Sequence, residues 1–331
     1  MSDKLSPLVR VLRAGTLSTA FVLAGATLAF APATAGAAAP QVKTQAPGFY
    51  RVMLGEFEIT ALSDGTVDLD GVKLLHEPAA KTGAAFARAF VSNPIETSVN
   101  GYLINTGSRL VLVDTGAGAL FGPTLGKLAA SLQAAGYKPE QVDDIFITHM
   151  HPDHVGGLVS AGALAFPNAT LHADQRDADF WLSQANLDQA PADSKGFFQG
   201  AMASLNPYVA AGKLQLFAAD GEVVPGIRSE ASVGHTAGHT SYVVQSQGKR
   251  LIVVGDLIHF AAVQLDQPAV TVGFDSDVKA AALARAAVFK QAAKEGALVG
   301  AAHLQFPGLG HLRAAGKSWQ WVPVNYTTEL K

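Results

Sequence analysis

Thr148-His149-Met150-His151-Pro152-Asp153-His154-Val155-Gly156-Gly157 is the stretch on which the reading of this chain turns. It closes Val142–Thr148, an apolar segment whose alternation predicts a β-strand. In extended backbone, residues two apart leave the same face, so His149 and His151 can ligate one metal ion together. Pro152 turns the chain, and Asp153 and His154 then come round toward a second position. Gly156-Gly157 is expected to let the backbone pass close to the metal and to open the next helix. A polar strand-end loop with surface histidines is the alternative; three His and one Asp within six residues, beside Gly-Gly, argue against it.

Further candidates lie in order along the chain, each just after a predicted strand. Gly234-His235-Thr236-Ala237-Gly238-His239 follows Gly226–Ser232, Gly255-Asp256 follows Leu251–Val254, and His303 follows Leu298–Ala302. Imidazoles and carboxylates suit Zn2+ and related divalent ions, and a carboxylate can bridge two of them. Two metals about 3.5–4 Å apart would share a hydroxide and polarise a scissile bond.

Composition narrows the chemistry further. The chain has 331 residues, room for one large or two small domains, with 24 Lys and Arg against 27 Asp and Glu. A formal charge of −3 leaves no electrostatic footprint for nucleic acid or an anionic membrane. With no cysteine there is no disulfide, thiolate nucleophile, Cys-ligated zinc or iron–sulfur cluster. His, Asp and Glu must carry any metal or acid–base work.

Part of the 49% hydrophobic content is local. Lys4, Arg10 and Arg13 precede an uncharged run from Ala14 to Phe30 and the small-residue exit Ala33-Thr34-Ala35-Gly36-Ala37. Residues 1–37 therefore read as an export signal cleaved after Ala35 or Ala37, giving a periplasmic or secreted protein without stable membrane contact. An uncleaved anchor is the alternative. Cleavage removes three basic residues and one acidic, leaving 21 against 26.

Hairpins are expected from Tyr50–Leu54 with Phe57–Leu62, and from Thr97–Asn105 with Arg109–Asp114. Asp68 to Glu96 reads as a long loop with one helical stretch near Ala84–Phe90. Helices are expected over Leu120–Ala135, Asp174–Ser183, Lys195–Ala210 and Ser276–Ala293, with further strands at Thr170–Ala173, Lys213–Phe217 and Tyr242–Ser246. Strand-rich halves with helices between predict an α/β fold of sheets covered outside by helices. Among the remaining histidines, His76 and His172 read as surface or loop residues, His239 as orienting the His235 loop, and His311 as structural. Asp114 is placed to hydrogen-bond a ligand histidine.

The HxHxDH stretch, the GHTxGH segment, a strand-end Asp and a late His, in that order, resemble the metallo-β-lactamase superfamily. Asp114-Thr115-Gly116 is similar to the family's early DTG turn. The resemblance implies a four-layered αβ/βα sandwich, one domain over residues 38–331, with metals at the sheet edges. It implies two divalent ions, Zn2+ first with Mn, Fe or Co as alternatives. His149, His151 and His235 would bind one, Asp153, His154 and His303 the other, and Asp256 would bridge.

Residues 148–158, 196–208 and Pro323-Val324-Asn325-Tyr326 are similar to methyl parathion hydrolase and its lactonase (dihydrocoumarin hydrolase-like) relatives. That resemblance implies a homodimer and an aromatic cluster on the leaving-group side, here Phe121, Trp181 and Phe197. The chain departs from the methyl parathion hydrolase pattern at Leu74, His259 and Phe274, and has one residue fewer around Ala192–Ser194. With Leu74 and Val272, His259 and Phe274 are expected to shape a polar, narrow pocket suited to a planar lactone or aryl ester rather than a bulky phosphotriester.

The resulting expectation is an exported dinuclear hydrolase whose metal-bound hydroxide opens lactones or aryl esters, with phosphotriesterase as a side activity. Asp153 or Asp256 would accept the proton, and His259 would hydrogen-bond the carbonyl or leaving oxygen. Rival readings are phosphotriesterase as the main activity, a B3-like β-lactamase, a glyoxalase-II-like thioesterase, and a non-catalytic metal-binding protein.

Overall fold

Leu110-Val111-Leu112-Val113 is a strand with all four residues buried. Leu110 and Leu112 enter one apolar core and Val111 and Val113 another, because successive strand side chains leave opposite faces. A strand of this kind must be covered on both sides.

The computed structural model describes residues 39–330, so the expected export signal and its cleavage sites lie outside the described residues. The chain divides at Thr44: residues 39–44 are exposed and carry no regular structure, and the layered fold belongs to the unit from Gln45 onward. Seven strands form its first sheet, in spatial order Phe49–Leu54, Phe57–Leu69, Ile95–Asn105, Leu110–Val113, Asp144–Phe146, Thr170–Asp174 and Leu214–Phe217. The second sheet runs Gly221–Val224, Ile227–Ala231, Thr240–Ser246, Lys249–Val253, Leu298–Gly300, Leu309–Ala315 and Ser318–Pro323.

Tyr102, Phe146, Tyr242 and Leu251 belong to the core that the two sheets share. Outside, helices Leu128–Ala134, Gln175–Trp181 and Lys195–Ala210 bury Leu132, Trp181 and Phe198 against the first sheet. Helix Val278–Glu295 buries Phe289 and Ala292 against the second. The order helix, sheet, sheet, helix is the four-layered sandwich of the metallo-β-lactamase fold in a single domain. Among the described residues no helix is long and apolar enough to cross a membrane.

Several local expectations change. The helix expected over Leu120–Ala135 occupies only Leu128–Ala134. Gly118, Gly122 and Gly126 all take positive φ, which no helix continues through. The loop expected over Asp68–Glu96 is mostly ordered: a strand runs on to Leu69, helices fill Gly71–Leu74 and Ala79–Arg88, and the next strand starts at Ile95. Helix Ala79–Arg88 stops before Phe90, whose φ is 58°, and buries Phe86 against Phe260. The expected strand Val142–Thr148 pairs only over Asp144–Phe146. Gly221–Val224 and the hairpin Leu309–Ala315 with Ser318–Pro323 were not expected as strands; they are half exposed and lack an uninterrupted apolar run.

Candidate metal centre

The histidine stretch follows strand Asp144–Phe146, Asp256 follows Lys249–Val253, and His303 follows Leu298–Gly300. Each of these strands lies parallel to a neighbour, so the loops after their C-terminal ends gather at one edge. There His149, His151, His235 and Asp256 offer ligand atoms within 4.8 Å of one another, and so do Asp153, His154 and His303. A third set joins Asp256, His259 and His303. Asp256 stands between the groups. Its Oδ2 lies 3.2 Å from His235 Nε2 and 3.6 Å from His149 Nε2, and its Oδ1 lies 3.1 Å from Nε2 of both His154 and His303. Asp153 Oδ2 is 3.5 Å from the same two nitrogens.

The inward-facing atoms are held by what the other side of each ring touches. His154 Nδ1 lies 2.8 Å from Asp114 Oδ2, as the sequence suggested, and Asp114 also accepts from Thr148 N and Oγ1. His303 Nδ1 donates to Ser98 O at 2.9 Å. His235 Nδ1 lies 2.9 Å from Asp275 Oδ1, a partner that sequence reasoning did not reach. Such outer contacts fix tautomer and ring direction. His239 lies between Ser232 and the Asp256 amide: its Nδ1 donates to Ser232 O at 3.0 Å and its Nε2 accepts from Asp256 N at 3.1 Å. It therefore links the His235 loop to Asp256.

Asp177, on the helix Gln175–Trp181, joins the two histidine loops. It accepts from Met150 N at 3.0 Å, from Thr236 Oγ1 at 3.0 Å and from Gly238 N at 2.6 Å. Burial pushes its carboxyl up to about 6 against the pull of these donors. Because that value lies above the ordinary 3.8, the folded state binds more protons in between. Asp177's contribution to stability is thus largest below about pH 4 and falls as pH rises to about 6. Urea denaturation of metal-free protein should show the wild type losing stability relative to Asp177→Asn across that window. A pH-independent difference would contradict the assignment.

Gly156 and Gly157 open the short 3-10 helix Gly156–Leu158, as expected. A Cβ on either would overlap a backbone carbonyl, Ala117 for the first and Thr115 for the second, so they seat the histidine stretch against the 115–118 loop. That loop is gripped from below by buried Asp64, which accepts from Ala117 N at 3.0 Å, Gly126 N at 2.9 Å and Leu128 N at 2.9 Å.

The electrostatics favour positive charge at this spot. Burial opposes ionisation of Asp256, yet His154, His303, His149 and His259 outweigh it and hold the carboxyl well below its usual range. Burial opposes charge on His154 too, but Asp256, Asp153 and Asp114 carry it well above its ordinary value. His235 is pushed up to about 9, with burial again opposing and Asp256 and Asp275 prevailing. His149 and His151 go the other way, burial first and neighbouring imidazoles next, which keeps them neutral and able to ligate. Nε2 of His149, Nε2 of His154 and Oδ1 of Asp256 are buried without a hydrogen bond. Converging lone pairs among carboxylates and imidazoles fit divalent cations.

A cleft opens onto this floor. Val67, Leu69, Phe121, Leu125, Phe197 and Phe274 form its wall, above His151, Asp153, Asp256, His259 and His303. Of the residues expected around the substrate, Phe121, Phe197, His259 and Phe274 are in the lining. Trp181, Leu74 and Val272 stand one layer behind. Trp181 is buried edge-on against His151 and packs on Phe198; Val272 bridges to Leu75 and donates to Asp275; Leu74 accepts from Gly273 N. Val67, Leu69 and Leu125 were missed: the strand through Leu69 was expected to end at Leu62, and Leu125 was expected within a helix. His172 also needs correction: it is buried in strand Thr170–Asp174, 2.9 Å from Asp144 Oδ1, and Arg109 pairs with the other oxygen of that carboxylate. His76 is exposed beside Thr271, and His311 sits on strand Leu309–Ala315, donating to Ala297 O.

Fold and floor together define a metal-dependent hydrolase, and the profile of the metallo-beta-lactamase superfamily matches residues 94–303: the chain belongs to that superfamily. Hydrolase AbOPH of the beta-lactamase superfamily is 34% identical, covers 86% of this chain and 100% of its own, and superposes with a TM-score of 0.82. AidC, a dizinc quorum-quenching lactonase solved with a product bound, is 28% identical over 85% of this chain and 99% of its own, with a TM-score of 0.79. N-acyl homoserine lactonase of Bacillus cereus is 24% identical over 203 residues, 56% of this chain and 73% of the lactonase.

Proposed function

We propose that this chain is an exported dinuclear zinc lactonase or aryl esterase, with phosphotriester hydrolysis as a side activity. The observation that carries the reading is the pairing of a two-group His/Asp floor with an aromatic wall at one cleft. Similarity to a dizinc lactonase along most of the chain supports both the lactone and the zinc. His149, His151 and His235 would hold one ion, Asp153, His154 and His303 the other, and Asp256 would touch both. Bound there, divalent ions supply Lewis acidity and acidify water at neutral pH.

The chain's own residues do the rest. Phe121, Phe197 and Phe274 hold the apolar part of the substrate and keep water off it. Asp153, which is less buried than Asp256 and lines the cleft, is placed to take the proton. His259 Nε2 donates to Asp256 Oδ2 at 3.0 Å, and burial holds its imidazole pKa down at about 4. Neutral His259 therefore orients that carboxylate and has no second proton to offer a carbonyl or leaving oxygen, the role expected of it from the sequence. Its ring lies 6.1 Å from that of Phe274, and the pair narrows the cleft in favour of a flat ester.

One metal-loaded preparation assayed against dihydrocoumarin, an acyl-homoserine lactone, a phosphotriester and a β-lactam tests the reading. The best lactone should exceed the other classes in kcat/KM by about 10-fold or more. Preference for the β-lactam, or no hydrolysis of any substrate, would sink it. His259→Leu in the same panel should lower lactone turnover and raise phosphotriester turnover; no change in either removes the pocket argument. Two zinc ions per chain, a homodimer in sedimentation and a mature N-terminus after Ala35 or Ala37 complete the proposal.

A further inference from the structure

Helix Val278–Glu295 buries Ala281, Arg285, Phe289 and Ala292, a stripe at helical spacing with an arginine in its middle. Arg285 is 0% exposed. A guanidinium in an apolar layer is costly unless its donors are met and its charge is balanced. Nε donates to Leu257 O, and Nη1 donates to Pro268 O at 2.8 Å and Val270 O at 2.9 Å. Nη2 makes no hydrogen bond and lies 3.9 Å from Asp275 Oδ2. The other oxygen of Asp275 faces His235 Nδ1 at 2.9 Å.

The three carbonyls belong to one segment, 257–270, which begins beside Asp256 and carries His259. Gln264 braces the same segment from within, accepting from His259 N and donating to Val270 O. One buried side chain thus grips both ends of the segment that follows Asp256 and faces the carboxylate behind His235.

We propose that Arg285 is a positioning residue for the metal centre, acting through Asp275 on His235 and through the 257–270 carbonyls on Asp256. It rests on the metal-centre reading above. The charge of Arg285 balances Asp275, and its fork fixes the direction from which Asp256 enters. Lysine offers charge without the fork, so Arg285→Lys is expected to keep part of the effect. Methionine keeps bulk but offers neither.

Cobalt titration of metal-free protein, read by the visible Co2+ spectrum with chelator competition, tests this without turnover. Wild type that takes up no cobalt defeats the metal-centre reading itself. If wild type binds, Arg285→Met and Asp275→Asn should each weaken cobalt binding by about 10- to 100-fold and shift its spectrum. The double variant should lose no more than the worse single one, and Arg285→Lys should fall between. Additive losses, or wild-type affinity and spectrum in Arg285→Met, would overturn the proposal. Should Arg285→Met not fold, wild-type cobalt affinity and spectrum in both Arg285→Lys and Asp275→Asn would overturn it, because the fork and the link to His235 would then each be shown idle.

Discussion

Asp256→Asn is expected to reduce hydrolysis about a thousand-fold or more, a loss of about 4 kcal/mol in transition-state stabilisation. Among the described residues no other side chain is so enclosed by imidazoles: His149, His154, His235, His259 and His303 all approach its oxygens within 3.6 Å. The amide keeps the shape, but it removes the charge that draws cations and turns an NH2 toward nitrogens that need an acceptor. Metal content should therefore fall below two ions per chain, with the fold kept. Elemental analysis beside turnover of the best substrate checks both halves. A variant with two ions and more than about a tenth of wild-type activity would show that Asp256 does not bridge.

Gly234→Ala is expected to be the most damaging single methyl in the site. Gly234 has φ of 129°, which side chains avoid, and its Cβ would overlap the backbone where Ala280 meets Ala281. Its carbonyl accepts from Asp277 N at 2.8 Å and Ser276 Oγ at 3.1 Å, so the His235 loop rests directly on the start of helix Val278–Glu295. Neither side can yield without moving the loop or the helix. Destabilisation of about 4 kcal/mol or more is expected, together with metal loss as His235 shifts. Gly248→Ala is the control. It shares a positive φ of 75° but has open space around it, and should cost only about 1 kcal/mol. Chemical denaturation of the pair separates overlap from backbone strain; equal losses would refute the argument.

The ligand candidates were legible because their signal is local. Strand periodicity and residue chemistry place His149, His151, Asp153 and His154 within a single turn of chain. Asp64, Asp177 and Asp275 were not legible. Each is a lone aspartate in an ordinary stretch, and each meets partners 27 to 64 residues away that only the folded chain brings near. The aromatic cluster was half legible: Phe197 and Trp181 look alike as sequence, yet one faces the cleft and the other the core behind it. His172 misled because an alternating pattern puts it on a polar face with Asp174, and nothing nearby in sequence announces Asp144 as its partner.

Asp64 holds the 117–128 loop through main-chain N–H groups alone. Phe121, 41% exposed on that loop, therefore contributes to the cleft without being needed to keep the loop in place. At this one point of the rim, what the cleft accepts is separate from the floor that carboxylates fix. Phe121 can therefore be exchanged without touching a ligand candidate, whereas Phe197 rests against His151 at 5.0 Å and Phe274 against His259 at 6.1 Å, so those two rings tie acceptance to the floor.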